Sequence, residues 1–451
     1  MGKLFGTDGI RGKANVYPMT AEMALAVGRA TAYVLKRNHN GLNRILVGKD
    51  TRLSGYMLEN ALTAGICSMG VNVLLTGPLP TPGIAYLTRS MRCVAGIVIS
   101  ASHNPYYDNG IKIFSSLGFK LNDQLETEIE ELVLSGKINE IAADPEDIGR
   151  AKRIDDAAGK YVEFCKSTFP PEYSLKGTKV VLDCANGASY HIAPDIYEEL
   201  GAEVTVIHSK PNGFNINDKC GSQFTHDLCE KVKEVGADIG FAFDGDADRL
   251  IAVDENGNEI DGDHVIAICA KQMLDNGTLT NKQVIVTPMS NLGLRVCFNK
   301  LGIECKNAGI GDRLVLEKMK QEGAILGGEQ SGYVIFLNKH TTGDGIVTSL
   351  QLISAIKQSG KPLSELAKIF ETAPQVLINI DVKDKPELDT LPEVSAAIKA
   401  AEEALGDMGR ILVRYSGTQP MCRVMVEASS IDIANSISTK IADLIRKTIG
   451  K

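Results

Sequence analysis

Residues 95–105 read AGIVISASHNP. The first five are small or apolar and do not alternate with polar side chains, which is typical of a strand buried on both faces of a parallel sheet. The chain then enters a polar turn that contains Ser102 and closes at Asn104-Pro105. Ligands of α/β sheets bind beyond the carboxyl ends of the strands. This stretch therefore predicts an α/β fold with a functional loop at Ser102.

The same layout extends along the chain in both directions. Short apolar runs alternate with segments of helical spacing, which is the α/β pattern. These runs lie at residues 44–48, 71–75, 179–183, 238–243 and 283–287. The last segment instead gives a strand, a helix, two strands and a final helix, an α+β layout. We predict three related α/β domains with mixed, largely parallel sheets and a C-terminal α+β domain around a central cleft.

The predicted domain boundaries follow breaks in this pattern. They give domains at residues 1–155, 156–255, 256–370 and 371–451. Each domain ends a strand in a polar, glycine-containing loop, so the four loops are expected to converge on one cleft.

Composition excludes several classes of protein. The 451 residues are too many for one core, and no apolar run is long enough to span a membrane. The net charge of −8 argues against nucleic-acid binding, so a site for anions must be built locally from Arg, Lys and backbone N–H groups. The ten cysteines form no CxxC pair, and no secretory leader is evident. We expect a cytoplasmic protein that binds neither membranes nor nucleic acid.

The loop DGDADR at residues 244–249 predicts a divalent metal site. Asp244, Asp246 and Asp248 place carboxylates at alternate positions, and hard cations such as Mg²⁺ take oxygen ligands of this kind. An EF-hand is an alternative, but Arg249 stands where that loop needs glycine, and the flanking residues are strand-like. A solvated acidic turn is the second alternative. Arg249 is a candidate cationic neighbour of the carboxylates.

Ser102 is a candidate phosphoryl carrier only in combination with this metal loop. The chain lacks the Gly-x-Ser-x-Gly motif of serine hydrolases, and His103 is poorly placed in sequence to act as a base on Ser102. A structural role for His103 is equally compatible with the sequence. A serine near a divalent metal can accept and donate a phosphoryl group. Taken alone, Ser102 would be a turn residue.

Three further groups of polar residues suit anions and sugars. Residues 414–423 offer a phosphate cradle, with a plain hairpin turn as the alternative. Glu329 and Ser331 lie between glycines and suit recognition of vicinal sugar hydroxyls. Arg11 and Lys112 can complement anionic oxygens, with solvated surface charge as the alternative. The cradle residues are Arg414, Ser416, Gly417, Thr418 and Arg423.

In combination, these motifs resemble the α-D-phosphohexomutase superfamily, most closely its phosphoglucosamine mutase family, over essentially the whole chain. The opening FGTDGIRG, the phosphoserine loop, the metal loop, the sugar-recognition loop and the phosphate-binding loop occur in the same order. They lie at residues 5–12, 99–105, 244–249, 328–332 and 414–423, with DNGIK at 108–112.

The resemblance implies a reaction, a metal ion and the residues that take part. Phosphorylated Ser102 would interconvert glucosamine 6-phosphate and glucosamine 1-phosphate through a sugar 1,6-bisphosphate, which serves as intermediate and activator. One Mg²⁺ per chain would be held by the three aspartates and the seryl phosphate. The implied catalytic residues are Ser102, Lys112, Arg11 and His103. The implied substrate-binding residues are Arg249, Glu329, Ser331 and Tyr333, and the cradle at 414–423 would bind the phosphate that is not reacting.

Departures from the family pattern leave alternatives open. Tyr333 stands where many members have His, and Gln419 where Glu is usual. Gln330 and TTGDG at 341–345 resemble the glucosamine branch, with phosphoglucomutase or phosphomannomutase activity as the alternative. A non-catalytic phosphosugar-binding sensor is the alternative from another class of protein. Such a protein should have lost the serine or a metal ligand, whereas Ser102 and the three aspartates of the metal loop are all present. A homodimer is possible, and the sequence does not decide the oligomeric state.

Overall fold

The computed structural model describes residues 4–6, 8–37, 42–406, 409–416 and 420–451. The chain forms two compact units. The first comprises Met1–Thr287 and Lys306–Ala367, and the second comprises Pro288–Cys305 and Lys368–Lys451. The predicted serine, metal and sugar loops belong to the first unit, and the predicted phosphate cradle belongs to the second.

The first sheet of the first unit has six strands in the order β1-β5-β4-β2-β3-β6. Strands β2, β3 and β4 are parallel, and β5 runs antiparallel to β4. Every residue of β4 is buried, as the run at 95–99 predicts. The elements are β1 (Ile10–Lys13), α1 (Ala21–Arg37), β2 (Arg44–Lys49), α2 (Ser54–Cys67), β3 (Asn72–Pro78), α3 (Thr81–Ser90), β4 (Ala95–Ile99), β5 (Asp108–Ser115), α4 (Asp123–Leu134) and β6 (Ala151–Arg153).

The second sheet has five strands in the order β11-β10-β9-β7-β8. Strands β7, β8 and β9 are parallel, and β10 runs antiparallel to β9. The elements are α5 (Ala157–Thr168), β7 (Lys179–Asp183), α6 (Ile192–Glu199), β8 (Glu203–Ile207), α7 (His226–Val235), β9 (Ile239–Phe243), β10 (Leu250–Val253) and β11 (Glu259–Ile260).

The third sheet has four strands in the order β13-β12-β14-β15. Strands β12 and β14 are parallel, and β15 runs antiparallel to β14. The elements from α8 to α12 are α8 (Gly262–Asp275), β12 (Gln283–Val286), α9 (Leu292–Leu301), β13 (Glu304–Asn307), α10 (Asp312–Glu322), β14 (Leu326–Gly328), β15 (Val334–Phe336), α11 (Gly345–Ser359) and α12 (Leu363–Leu366).

The second unit contains a three-stranded antiparallel sheet in the order β16-β18-β17. Its elements are β16 (Gln375–Asp381), α13 (Pro392–Leu405), β17 (Arg410–Tyr415), β18 (Met421–Glu427) and α14 (Ile431–Ile449). Helix α9 groups with this unit, although sequence predicts it within 256–370. Arg410 binds the carbonyls of Pro288 and Ser290, at 2.8 and 2.5 Å, which ties the segment before α9 to β17.

The three α/β sheets share one local topology. In each, a parallel strand ends in a polar loop, and the next strand returns antiparallel beside it. These loops are β4–β5, β9–β10 and β14–β15, and they contain Ser102, the three aspartates and Glu329, respectively. The prediction of mixed α/β domains followed by an α+β domain is confirmed. Among the described residues, no helix combines the length and apolar character needed to cross a membrane.

Candidate functional site

Ser102 lies at the start of the β4–β5 loop in a left-handed backbone conformation, with φ of 53°. Non-glycine residues adopt this conformation rarely, and they do so where the surrounding structure enforces it. The side chain is buried, and its Oγ donates to Asp244 Oδ2 at 2.7 Å. Its backbone N–H donates to Ser100 Oγ at 2.9 Å. The serine of the first sheet and the acidic loop of the second sheet are therefore in direct contact.

Two side chains hold the backbone of this serine loop. Arg52 Nη2 and Asn217 Nδ2 donate to the carbonyl oxygen of Ser102, at 3.1 and 2.9 Å. The same two nitrogens donate to the carbonyl oxygen of Asn104, at 2.5 and 3.0 Å. Arg52 is fully buried and pairs with Asp50. We call Arg52 and Asn217 the carbonyl clamp.

Asp244, Asp246 and Asp248 form a buried cluster in which one oxygen of each lies within 4.8 Å of the others. Within the described part of the chain, Asp246 Oδ1 and Asp248 Oδ1 are buried without a hydrogen-bond partner. Buried polar atoms in native proteins are nearly always satisfied, so these oxygens indicate a ligand. Burial and neighbouring carboxylates raise the pKa of Asp244 to about 6 and also raise that of Asp248. The donor set fits a hard divalent cation.

Lys112 lies beside these carboxylates. Its buried Nζ is 2.9 Å from Asp246 Oδ2, 3.5 Å from Asp8 Oδ2 and 3.6 Å from Asp248 Oδ2. Burial by itself lowers the pKa of Lys112, but the attraction of these three carboxylates outweighs it and raises the pKa well above its usual value. Arg11 pairs with Asp8, and Thr81 Oγ1 donates to Asp246 Oδ2 at 2.6 Å. Arg11 and Lys112 are thus cations of the site rather than solvated surface charges.

His103 is neutral in this environment. Burial, followed by the nearby positive charges of Arg249 and Arg11, lowers its pKa to about 3. Its Nδ1 lies 3.2 Å from Ser102 Oγ. The structure therefore brings His103 to the serine despite the unfavourable position in sequence.

The sugar-recognition loop gives two side chains that remain candidates. Glu329 Oε1 accepts from the backbone N–H of Gly311 at 3.1 Å, and burial raises the pKa of this carboxyl group. Ser331 Oγ is buried and lacks a hydrogen-bond partner among the residues that the structure describes. Arg249 lies close enough to Glu329 to attract it, and the Arg249 backbone N–H donates to Asp244 Oδ1 at 3.2 Å.

Tyr333 has a different environment from the one that its position in the motif predicts. It is buried in the core of the third sheet, and only 2% of its surface is exposed. Its hydroxyl lies 2.9 Å from Thr342 Oγ1 and accepts from the backbone N–H of Gly343 at 3.0 Å. Internal groups therefore satisfy this hydroxyl, and the role of Tyr333 in substrate binding stays a prediction from the motif.

The predicted phosphate cradle lies in the second unit. Arg414 and Arg423 are directly opposite each other on β17 and β18. Like charges directly opposite in an antiparallel pair repel, and burial together with Arg423 lowers the pKa of Arg414. Ser416 is buried, and Lys385 Nζ donates to its carbonyl oxygen at 2.6 Å. Gly417 and Thr418 lie outside the described residues. This pair of guanidinium groups would gain from an anion between them.

Sequence reasoning did not identify Arg52, Thr81, Lys120 or Asn217. Arg52 could have been predicted, because the residues after β2 lie at a carboxyl strand end, as the Ser102 loop does after β4. Thr81 and Asn217 act through hydrogen bonds to groups distant in sequence, which leave no local pattern. Lys120 pairs with Asp8 and Asp312, and it likewise has no motif of its own.

Comparisons with known proteins identify the family of the chain. Profiles of the phosphoglucomutase/phosphomannomutase α/β/α domains I, II and III match residues 2–140, 159–257 and 261–373, and that of the C-terminal domain matches 377–444. The chain is 60% identical to the phosphoglucosamine mutase of Syntrophus aciditrophicus and 56% identical to that of Geobacter metallireducens. Both alignments cover 100% of each chain.

Solved structures show the same fold. A phosphoglucomutase/phosphomannomutase family protein from Burkholderia thailandensis superposes with a TM-score of 0.81 at 24% identity, over 99% of each chain. The Aspergillus fumigatus N-acetylphosphoglucosamine mutase, solved in complex with GlcNAc-6P and magnesium, superposes with a TM-score of 0.67 at 16% identity. That alignment covers 98% of this chain and 95% of the fungal chain.

Proposed function

The chain belongs to the phosphoglucomutase/phosphomannomutase family, and from that membership we propose that it interconverts glucosamine 6-phosphate and glucosamine 1-phosphate. One observation in the structure supports the reaction type: the hydroxyl of Ser102 donates to Asp244 at 2.7 Å, inside a cluster of three buried carboxylates. Identities of 53–60% to phosphoglucosamine mutases over nearly the whole chain support the choice of sugar.

Ser102 is the phosphoryl carrier in this proposal. Phosphorylated Ser102 transfers its group to the free hydroxyl of the sugar phosphate. The bond from phosphorus to Oγ breaks as a bond to the sugar oxygen forms, and the proton of the sugar hydroxyl passes to Ser102 Oγ. The product of this step is a sugar 1,6-bisphosphate. After the sugar is reoriented, its other phosphate returns to Ser102: the bond from phosphorus to that sugar oxygen breaks as the bond to Oγ forms, and the released sugar oxygen takes up the proton that Ser102 loses. The Ser102 proton then has an acceptor already in place, because the hydroxyl donates to Asp244.

The three aspartates form the metal site in this proposal. Asp246 Oδ1 and Asp248 Oδ1 are the unsatisfied oxygens available to a cation, and Asp244 links the cluster to Ser102. Bound Mg²⁺ would neutralise negative charge on the oxygens of the transferring phosphoryl group.

The remaining site residues bind and orient the substrate. Lys112 and Arg11 supply positive charge beside the carboxylates, and neutral His103 orients the Ser102 hydroxyl. Arg249, Glu329 and Ser331 are assigned to the sugar hydroxyls. The residues of the second unit, Arg414, Ser416, Gly417, Thr418 and Arg423, are assigned to the phosphate that is not reacting. The cytoplasmic location remains a prediction from the sequence.

Substrate preference tests the proposed sugar. We expect kcat/KM for glucosamine 6-phosphate to exceed that for glucose 6-phosphate and mannose 6-phosphate by about 10²-fold or more. Both analogues carry a hydroxyl in place of the 2-amino group, so a site that binds the charged amino group loses a charge-assisted hydrogen bond with them. A coupled assay of the 1-phosphate products from all three sugars, with one enzyme preparation, measures the ratio. A larger kcat/KM for glucose or mannose phosphate would make the chain a phosphoglucomutase or phosphomannomutase and refute the choice of sugar.

A further inference from the structure

A second cluster of metal-binding side chains lies outside the site described above. Asp183 ends β7, His208 follows β8, and Cys220 lies in the loop before α7. One ligand atom of each residue lies within 4.8 Å of the others. Asp183 and Cys220 are fully buried, and His208 is partly buried. A carboxylate oxygen, an imidazole nitrogen and a thiol sulfur form a donor set typical of zinc.

The imidazole and the carboxylate are close but do not form a well-directed hydrogen bond. His208 Nδ1 lies 3.1 Å from Asp183 Oδ2. Even so, Nδ1 is buried and has no hydrogen-bond partner with acceptable geometry in the described portion of the chain. Both atoms are therefore within reach of one ion that also contacts the Cys220 thiol.

The other ring nitrogen of His208 faces a carboxylate outside the cluster. Nε2 lies 3.3 Å from Asp227 Oδ2, on α7. Histidine ligands of metals almost always donate their second ring N–H to a carboxylate, a carbonyl or a water, which fixes the tautomer and the ring orientation. This outer carboxylate is independent of the three clustered atoms and supports the same conclusion.

Asp183 is already held in position to act as a ligand. Its Oδ1 accepts from the Ala185 N–H and its Oδ2 from the Gly221 N–H, each at 2.9 Å. The Gly221 bond connects the end of β7 to the residue after Cys220. Each carboxylate oxygen has a further lone pair available to a cation.

We propose that Asp183, His208 and Cys220 form a second metal site, which binds a Zn²⁺-type cation in preference to Mg²⁺. Thiolate and imidazole ligands favour zinc, whereas Mg²⁺ favours carboxylate, carbonyl and water oxygens. With three protein ligands, the fourth position is left to water. Binding displaces the Cys220 thiol proton to solvent.

The location of the site indicates a positioning role. The loop between His208 and Cys220 contains Asn217, one of the two residues of the carbonyl clamp. An ion that joins both ends of this loop to β7 would restrict the movement of Asn217 relative to Ser102.

Cobalt binding tests the proposal on the full-length protein, because Co²⁺ bound to a thiolate gives a charge-transfer band that oxygen ligands do not give. We expect about one such band-forming Co²⁺ per chain in protein first stripped of metal and then saturated with Mg²⁺, and we expect Zn²⁺ to displace it. Cys220→Ser should abolish the band. Cys229→Ser, on nearby α7, should retain it.

Asp227→Asn gives a second test that does not depend on a buried substitution, since the Asp227 side chain is 56% exposed. Loss of the outer carboxylate should weaken Zn²⁺ binding by roughly 10–100-fold in a competition titration. Glu230→Gln, an exposed change on the same helix, should leave the affinity unchanged. Absence of a thiolate band, or a band that persists in Cys220→Ser with unchanged Zn²⁺ affinity in Asp227→Asn, would overturn the proposal.

Discussion

The left-handed backbone of Ser102 depends on groups that the sequence motif does not include. Arg52 follows β2 and Asn217 lies in the loop between β8 and α7, yet each binds the same two carbonyl oxygens. A reactive hydroxyl must be held in line with its partner, and a displacement of about 1 Å can reduce a rate on the order of 10²-fold. The carbonyl clamp is therefore expected to support catalysis without contacting the substrate.

Substitution in the clamp tests this expectation. Arg52→Lys keeps the charge beside Asp50 but removes the planar group that binds two carbonyls, and Asn217→Ala removes the second donor. Each change should lower kcat on the order of 10²-fold while KM changes much less, because the substrate-binding groups are untouched. Steady-state kinetics on both variants measure the split between kcat and KM. Arg89→Lys, on the exposed end of α3, is the matched control.

A rise in KM with unchanged kcat would contradict the positioning role. So would a kcat in both variants equal to that of the control.

Single residues also show what the sequence could predict. The positions of Ser102 and the three aspartates in loops at strand ends were predictable, because each loop follows a buried strand and matches a motif. Tyr333 follows a strand end as well, but its ring turns inward and packs on Gly343, where a Cβ would lie 2.4 Å from the ring. Strand-end position predicts the loop in which a residue lies, but it does not predict the direction of the side chain.

Among the elements, the loops after β4 and β9 pack directly on one another. A Cβ added at Gly245 would lie 2.6 Å from the Ser102 carbonyl oxygen and 2.8 Å from Asn217 Nδ2. Position 245 therefore requires glycine, because the backbone of the serine loop and the carbonyl clamp lie too close for a side chain there. The alternation of aspartates in the metal loop was visible in sequence, but this contact between two sheets was not.

Gly245→Ala should therefore separate the serine loop from the metal loop. We expect kcat to fall on the order of 10²-fold, because the added methyl group displaces the Ser102 carbonyl. Gly159→Ala is the control, since a Cβ there would meet no described atom within 4 Å beyond its chain neighbours and the nearby backbone of its own helix, and helix α5 tolerates alanine. Kinetics of the two variants measure the difference, and full activity of Gly245→Ala would show that the two loops need not approach so closely.

Across the first unit, His340 connects the third sheet to α3. Its Nε2 lies 3.0 Å from the Pro82 carbonyl oxygen, and its Nδ1 accepts from the Thr341 N–H at 2.7 Å. These two bonds fit only the neutral ring. Burial lowers the pKa of His340 from 6.5 to about 3. Contacts of this kind connect segments that are far apart in the sequence, and no local sequence pattern predicts them.

The neutral ring predicts a pH dependence of stability. Between pH 6.5 and about 3 the unfolded chain binds a proton at His340 that the native protein excludes. Lowering the pH through this range therefore removes stability, by up to about 1.4 kcal/mol per pH unit. His340→Gln should lose less free energy of unfolding between pH 7 and pH 5 than the unchanged protein, as measured by urea denaturation. His226→Gln, at an exposed position, should match the unchanged protein, and an equal loss in all three proteins would contradict the assignment.

For the molecule as a whole, the decisive measurement is whether phosphate is transferred from Ser102 to the sugar. Protein labelled with radioactive phosphate at Ser102 should, on mixing with glucosamine 6-phosphate, release its label as sugar phosphates, beginning with the 1,6-bisphosphate. Ser102→Ala should neither take up the label nor form glucosamine 1-phosphate, whereas Ser90→Ala should behave as the unchanged protein. Two results would contradict the phosphoserine mechanism. Ser102→Ala could form glucosamine 1-phosphate at the unchanged rate, or the labelled unchanged protein could form it while retaining all of its label.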